Sequence, residues 1–335
     1  MKIFSNKQID HAARYLLEGG LVAFPTETVY GLGANAQKEE SVINLYKIKE
    51  RPLNHPMIVH ISKKEDIYYW IESLPKEADV LIENFWPGPL TLILKKSKYI
   101  NNIISAGQSN IGLRCPSHPI AHALLKSFIK MNKGYGGVVA PSANKFGRIS
   151  PTHSSHVIEE FNLNKDSNIL LLNGGDSSIG IESTVLDLSN LNEYGERIPV
   201  LLRPGYITIE QISNILNCNI SRNNKNNVKY SGMMKSHYAP RTKLKILPYY
   251  LLKDMHNNDI HNKNIAIIHF SNLHYNSNSS LTLYKISNNP NEFAKKIYSQ
   301  LRYIDSIKYD LIIIEEPPKD IYWEAINDRI NRAAS

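Results

Sequence analysis

The chain has 335 residues, 42% hydrophobic and 21% charged; that is enough for about two domains with substantial cores and excludes intrinsic disorder or a collagen-like or mucin-like fibre as the main state. Its two cysteines, Cys115 and Cys218, exclude a disulfide framework and a cysteine-rich zinc module. The formal net charge is +8, unevenly spread: residues 1–208 hold 22 basic and 20 acidic side chains, residues 209–335 hold 17 and 11.

In chain order, residues 7–19 read as an amphipathic helix ended by Gly19-Gly20, and 21–24 as a short apolar strand stopped by Pro25. A loop follows, then a helix over 39–49, a strand over 57–61, a helix over 75–85 and a strand over 90–95. Residues 111–114 read as a strand, 120–131 as a helix with apolar residues recurring at three and four, and 137–140, 170–172, 183–188 and 200–203 as strands. A helix over 209–216 closes this part.

Between Ser221 and Lys245 there are seven basic residues and no acidic one, in an Asn-rich setting poor in large apolar side chains until Tyr230. Such a stretch buries too little surface to fold alone, so it reads as an interdomain linker, either merely solvated or facing a phosphate-bearing ligand. The pattern restarts with strands at 244–247, 264–270 and 281–286, a helix over 291–305, a strand over 309–315 and a last helix over 322–333, a small α/β unit. The expected division is 1–216, a basic linker or lid at 217–243, and 244–335. No run reaches the ~18 apolar residues of a membrane span. Polar residues from Ser5 to Asp10 interrupt any signal-peptide core, so the expected compartment is the cytoplasm.

Seven loops carry more Gly, Pro, Ser, Thr and Asn than generic turns need. Residues 25–36, PTETVYGLGANA, follow a strand and are either a structural turn or a cradle of hydroxyls and N–H groups for a small polar ligand. They lack the Gly-Lys-Ser/Thr ending of a Walker loop. In 47–60, KIKERPLNHPMIVH, the cations Lys47, Lys49 and Arg51 are spaced by two before Pro52. If the backbone there is extended, they share a face and repel one another unless an anion such as a polyphosphate sits among them; the alternative is a solvated helix end. In 112–119, GLRCPSHP, Arg114 at a strand end suits a carboxylate. Residues 140–152, APSANKFGRISPT, resemble a phosphate cradle. GIESTVLDL at 180–188 puts Glu182, Ser183 and Thr184 at a strand entrance, LLRPGYIT at 201–208 ends a strand in Arg203, and KSHYAPRT at 235–242 offers Tyr238 as a stacking or covering ring. His118 and His122 are spaced like a zinc pair but lack the rest of such a site, and Cys115 is followed by Pro116 with no feature to lower its pKa. Without a candidate for covalent catalysis, a site here works by positioning and charge.

Taken in order, these seven segments resemble the threonylcarbamoyl-AMP synthase family in its long form, a YrdC-type domain joined to a smaller C-terminal domain. The resemblance implies a twisted, mixed α/β sheet around a large basic cavity, followed by a small Rossmann-like α/β domain. It implies condensation of ATP, bicarbonate and L-threonine to L-threonylcarbamoyladenylate and pyrophosphate. A downstream transferase complex would pass the threonylcarbamoyl group to tRNA, which this chain would meet only indirectly. Carried over by position, L-threonine would contact Thr28, His60, Arg114, Ala140 and Ser183. ATP would contact Arg51, His55, Asn110, Ser142, Ser150, Arg203 and Tyr238. Lys49 and Arg51 would be the catalytic cations facing the phosphates, with Mg²⁺ arriving on ATP and no metal bound by the protein itself. A competing reading, from the basic run and a pI near 9.2, is an RNA-binding module acting in tRNA or ribosome maturation without ATP turnover.

Overall fold

The computed structural model describes residues 5–164, 167–192, 194–222, 227–255, 263–273 and 280–335. The first helix, α1 (Asn6–Glu18), buries Ile9, Ala12, Ala13 and Leu16 on one stripe and stops at Gly19, whose φ of 106° suits a residue without a side chain. Strand β1 (Leu21–Phe24) follows, buried on both faces. Its side chains alternate between two cores: Leu21 and Ala23 face one, Val22 and Phe24 the other.

The first part continues with β2 (Gly31–Asn35), α2 (Glu39–Ile48), β3 (Ile58–His60), α3 (Lys76–Phe85), β4 (Leu90–Lys95), α4 (Asn102–Ser105), β5 (Asn110–Arg114), α5 (Pro119–Met131), β6 (Val138–Val139), α6 (Ser154–Phe161), β7 (Ile169–Leu171), β8 (Thr184–Asp187), β9 (Val200–Arg203) and α7 (Ile209–Leu216). Among the described residues, nine strands form one sheet in the order β7-β1-β2-β6-β3-β5-β4-β8-β9. It is mixed: β1/β7, β3/β5 and β4/β8 pair parallel, the other neighbours antiparallel. Helices α2, α3 and α7 cover one face. On the far part of the opposite face, Ile93, Val185, Val200 and Leu202 pack against Val228, with Tyr230 alongside. The basic stretch is therefore a strap laid on the sheet, not a solvated tether, because these apolar side chains give it something to bury. Of its seven cations, Lys225 lies outside the described residues.

The second part contains β10 (Leu244–Leu247), α8 (Tyr249–Lys253), β11 (Ile265–His269), β12 (Leu281–Lys285), α9 (Pro290–Ile307), β13 (Leu311–Glu315) and α10 (Glu324–Ala333). Its described strands are all parallel, in the order β10-β13-β11-β12. Two expectations change. Strand β2 lies inside the loop expected at 25–36, where tertiary pairing with β1 and β6 overrides a Gly-rich sequence. Lys47 still belongs to α2 and is exposed, because the helix runs to Ile48 and Glu50 then turns the chain at φ 54°, so only Lys49 and Arg51 go inward.

One apolar core is shared by the two parts: Val29, Ile149, Ile181 and Tyr238 pack with Phe293, Ala294, Ile297, Tyr298 and Ile330. The approach is closest at Gly180, where φ is +89° and an added Cβ would lie 2.4 Å from the Ala294 carbonyl oxygen and from Lys295 Cα. The Gly180→Ala variant is expected to lose about 2 kcal/mol or more, since both the backbone conformation and the α9 main chain oppose a methyl group. Urea unfolding checks this; an unchanged midpoint would mean that the two parts do not pack here.

Candidate active site

The parallel pairing of β3 with β5 sets His60 beside Arg114 at the ends of adjacent strands. Arg114 Nη2 donates to Glu27 Oε1 at 2.6 Å, and both side chains are almost fully buried. The other carboxylate oxygen of Glu27 accepts from the Ser117 N–H at 3.0 Å. Glu27 can curl inward because Thr26 Oγ1 accepts from the N–H groups of Thr28 and Val29 and donates to the Val29 carbonyl, closing a tight turn. His60 is buried, and burial together with the Arg114 charge pushes its pKa down to about 3. Its Nδ1 has no hydrogen-bond partner among the described residues. Ala140 donates its N–H to the Ile58 carbonyl on the same strand as His60. Thr28 is fully buried in the 26–29 turn, and its carbonyl accepts from Gly180 N–H at 3.1 Å. Ser183 Oγ shares a hydrogen bond with Thr91 Oγ1 at 2.8 Å.

A second group of residues meets at the strap. Arg51 Nη2 donates to the Pro56 carbonyl at 2.8 Å and to Ser231 Oγ at 3.3 Å. Arg203, from the far edge strand, donates Nη1 to the Ser231 carbonyl at 2.8 Å, and Nε and Nη2 to Ser183. The two guanidinium groups, 152 positions apart in sequence, thus share one serine. The Tyr238 hydroxyl and Arg203 both lie against Gly232. The hydroxyl has no hydrogen-bond partner among the described residues, and burial pushes its pKa up to about 12. Lys49 Nζ donates to the carbonyls of Ser142, at 2.5 Å, and Asn144. It is buried, and desolvation followed by the nearby Arg51 charge pulls its pKa well below the usual lysine value. Lys49 therefore fixes the 142–144 loop. Ser150 Oγ donates to Glu182 Oε1 at 2.5 Å. The His55 ring lies 5.0 Å from that of Phe146, over which the Arg51 guanidinium also sits at 5.5 Å. Asn110 lines a small cavity with Ile58, Thr91, Gly112, Val185 and Ser231.

With the strap in place that cavity is only about 20 Å³. Lys229 is its one basic lining residue among those described; Arg51 and Arg203 meet the strap at Ser231, which borders it. Gln108 holds the strap there with two hydrogen bonds to the Lys229 backbone, at 3.1 and 2.6 Å.

The sequence reading missed Ser231 and Gly232, although a Ser-Gly pair inside a Lys/Asn run is a local turn signal. It also missed Arg329, whose trace is an arginine on the buried stripe Ala325, Ile326, Ile330, Ala333 of α10. Glu27 was visible as a polar loop residue, but nothing local in sequence joins it to Arg114. Elsewhere, Cys115 is buried with its thiol pushed up to about 12, chiefly by desolvation. His118 caps α5 by accepting from the Ile120 N–H. Among the described residues no group of three or more His, Cys, Asp or Glu side chains is placed to hold a metal.

His60 and His237 are held neutral near pKa 3 and His156 near 4, against an ordinary 6.5, with burial as the leading cause for each. Their folded values lie below their unfolded ones, so the unfolded chain takes up protons that the folded chain refuses. Their contribution is fully present above pH 6.5 and is lost as pH falls from there toward the folded values. Each histidine gives a slope of about 1.4 kcal/mol per pH unit. Denaturant unfolding at pH about 7.5, 6.5 and 5.5 should show uptake of roughly two or more protons at the acid end; a flat profile would contradict buried neutral imidazoles.

Two family models divide the chain between them. One, described as telomere recombination, matches residues 14–205. The other, described as threonylcarbamoyl-AMP synthase, C-terminal domain, matches residues 207–335. The threonylcarbamoyl-AMP synthase of Pyrococcus abyssi is 32% identical over 337 residues, spanning 96% of this chain and 93% of that protein. Its counterpart from Bacillus subtilis is 40% identical over 249 residues, 72% of this chain and 67% of the relative. The crystal structure of the P. abyssi protein complexed with L-threonine has a TM-score of 0.85 to this chain at 32% identity, covering 99% of this chain and 96% of that one. With both parts matched, in the same order and over nearly the whole length, the chain belongs to the threonylcarbamoyl-AMP synthase family in its two-domain form.

Proposed function

We propose that the protein condenses L-threonine, bicarbonate and ATP into L-threonylcarbamoyladenylate, releasing pyrophosphate and water. The observation that carries this reading is the meeting of Arg51 and Arg203 on Ser231, next to the strand ends that bear His60 and Arg114. A triphosphate needs converging fixed cations, and an amino acid carboxylate needs a guanidinium close by. Family membership favours this reading over an RNA-binding module without ATP turnover.

In the proposed reaction the neutral threonine amine attacks the carbon of bicarbonate-derived CO2 and gives up a proton, forming a carbamate. A carbamate oxygen then attacks the α-phosphorus, and the bond to the pyrophosphate oxygen breaks. Negative charge grows on the phosphoryl oxygens and on the leaving group. Arg51 and Arg203 are already oriented toward oxygen acceptors, so little reorganisation is needed as that charge develops. Lys49 holds the 142–144 loop through its carbonyls and adds its charge from behind. Thr28, His60, Arg114, Ala140 and Ser183 form the proposed threonine half; His55, Asn110, Ser142, Ser150 and Tyr238 join the arginines on the nucleotide half. Mg²⁺ would arrive as the counterion of ATP and neutralise phosphate charge, with phosphate oxygens and water as its ligands. The product would go to a transferase that modifies tRNA, in the cytoplasm. Among the described residues no helix is long and apolar enough to cross a membrane.

The test is pyrophosphate release from ATP and bicarbonate with each amino acid in turn. Release is expected with threonine; threonine-independent or absent release rejects the reading. In the same assay Arg51→Ala should slow release about tenfold or more, equivalent to about 1.4 kcal/mol; a variant as fast as wild type removes Arg51 from the role.

Residues 229–231 lie against Asn110, Arg51 and Arg203, where the nucleotide half is proposed. ATP entry on this reading therefore displaces residues 229–232, and the strap acts as a lid that recloses over the carbamate to exclude water. Limited proteolysis between Asn219 and Gly232 should be slower with ATP and threonine together than without them, and identical cutting would remove the lid.

A further inference from the structure

We infer that Arg329, on the last helix of the second domain, is a positioning residue for the nucleotide half of the site, acting through Glu182. The inference rests on the synthase reading above and assigns the second domain a part in it.

Arg329 is 1% exposed, and its side chain reaches from the second domain to Glu182 of the first. Its Nε donates to Glu182 Oε2 at 2.7 Å, and its Nη2 donates to the Pro204 carbonyl at 3.0 Å and the Glu182 carbonyl at 3.4 Å. Tyr298, on α9, donates its hydroxyl to the same carboxylate oxygen at 3.0 Å. The remaining carboxylate oxygen accepts from Ser150. One buried acid is thus gripped from the second domain by two side chains and in turn grips the Ser150 loop.

The grip reaches the cations through the main chain. Glu182 precedes Ser183, whose carbonyl and hydroxyl both accept from Arg203. Pro204 directly follows Arg203. Arg329 therefore ties down both ends of the Arg203–Ser183 contact. Its guanidinium also lies over the Tyr238 ring, 5.3 Å from the centroid, and Tyr238 stacks on Tyr298. A planar fork reaches all three acceptors at once; an ammonium of similar length does not. Burial alone would push the Glu182 carboxyl up, but Arg329 and Arg203 outweigh it and hold it near 2, so the acceptor stays ionised through the working pH range. Arg114, the proposed carboxylate anchor of the threonine half, hangs on a different network, its pair with Glu27, which Arg329 does not touch; of the threonine-half residues Ser183 alone adjoins the grip, and through its bond to Arg203.

Simple domain adhesion would lower thermal stability and leave the kinetic constants of the folded fraction alone. Positioning predicts a split between the two substrates. In Arg329→Lys the KM for ATP should rise about tenfold or more while that for threonine changes by less than about threefold. Tyr298→Phe removes one hydroxyl and keeps the ring, and should raise the ATP KM about threefold with Tm near wild type. An unchanged ATP KM in folded Arg329→Lys, or parallel rises for both substrates, would overturn the proposal. If Arg329→Lys does not fold, Tyr298→Phe decides in the same way: an ATP KM equal to wild type overturns it. Wild-type enzyme run alongside separates the two readings, since its inactivity would reject the synthase assignment and not the geometry.

Discussion

Positive charge held out of water is the constraint around which this site is arranged. Lys49, Arg51, Arg203 and Arg329 are each no more than 8% exposed. An ion moved from water into protein loses several kcal/mol of hydration even after relaxation, and like charges nearby add to that. The chain offsets it with oxygen acceptors. Lys49 takes two loop carbonyls, Arg51 takes the carbonyls of His55 and Pro56, and Arg203 takes those of Ser183 and Ser231. Glu182 and Asp328 supply full negative charge to this group, and both lie on the Arg329 side. What remains at Arg51 and Arg203 is a surplus of positive potential with Ser231 as a weak, neutral acceptor. A polyanion in the place of Ser231 would relieve that surplus.

The two halves of the site differ in charge in the sense their proposed ligands require. Arg114 is matched by Glu27 in a buried pair, so its surroundings are close to neutral and His60 stays uncharged. An amino acid zwitterion has no net charge and fits such a place. The strap side has two buried arginines and a buried lysine facing one carboxylate, and a triphosphate carries several negative charges. The sheet keeps the halves apart yet adjacent: Ser183 at the start of β8 bonds to Thr91 on β4, and β4 pairs with β5, which ends in Arg114.

Much of this was legible in the chain, because local rules govern it. Helices α1 and α5 show their apolar stripes, and buried strands such as β4, β9, β11 and β13 show as short apolar runs between turn residues. Loops that end in Arg114 and Arg203 announce cations at strand ends. Strand β2 was not legible, since Gly31 and Gly33 argue for a turn and only pairing on both sides makes it a strand. Lys47 was misplaced because spacing by two implies a shared face only in extended backbone, and Lys47 still lies within the helix. Glu27–Arg114 and Glu182–Arg329 join residues 87 and 147 positions apart. No pattern within a window of a few turns encodes such a partnership.

The strap is held unequally along its length, and that inequality determines where it can open. Residues 233–238 are fastened to the second domain. Arg332 donates to the Met234 carbonyl at 2.6 Å and its own carbonyl accepts from His237 N–H, while Tyr238 is enclosed by His237, Tyr298 and Arg329. Residues 229–232 are held by a few hydrogen bonds to Gln108, Arg51, Arg203 and Pro56, and each of those partners is polar enough to be satisfied by water or phosphate. Tyr230 is the one large apolar side chain of this piece, partly buried beside the Val228 cluster, and segments with few such contacts and exchangeable hydrogen bonds open at the low end of the free-energy range. Opening at 229–232 therefore leaves the aromatic anchor seated. The second domain holds Tyr238 and Glu182 through Tyr298 and Arg329, so in the proposed opening the rear wall of the nucleotide half would stay fastened.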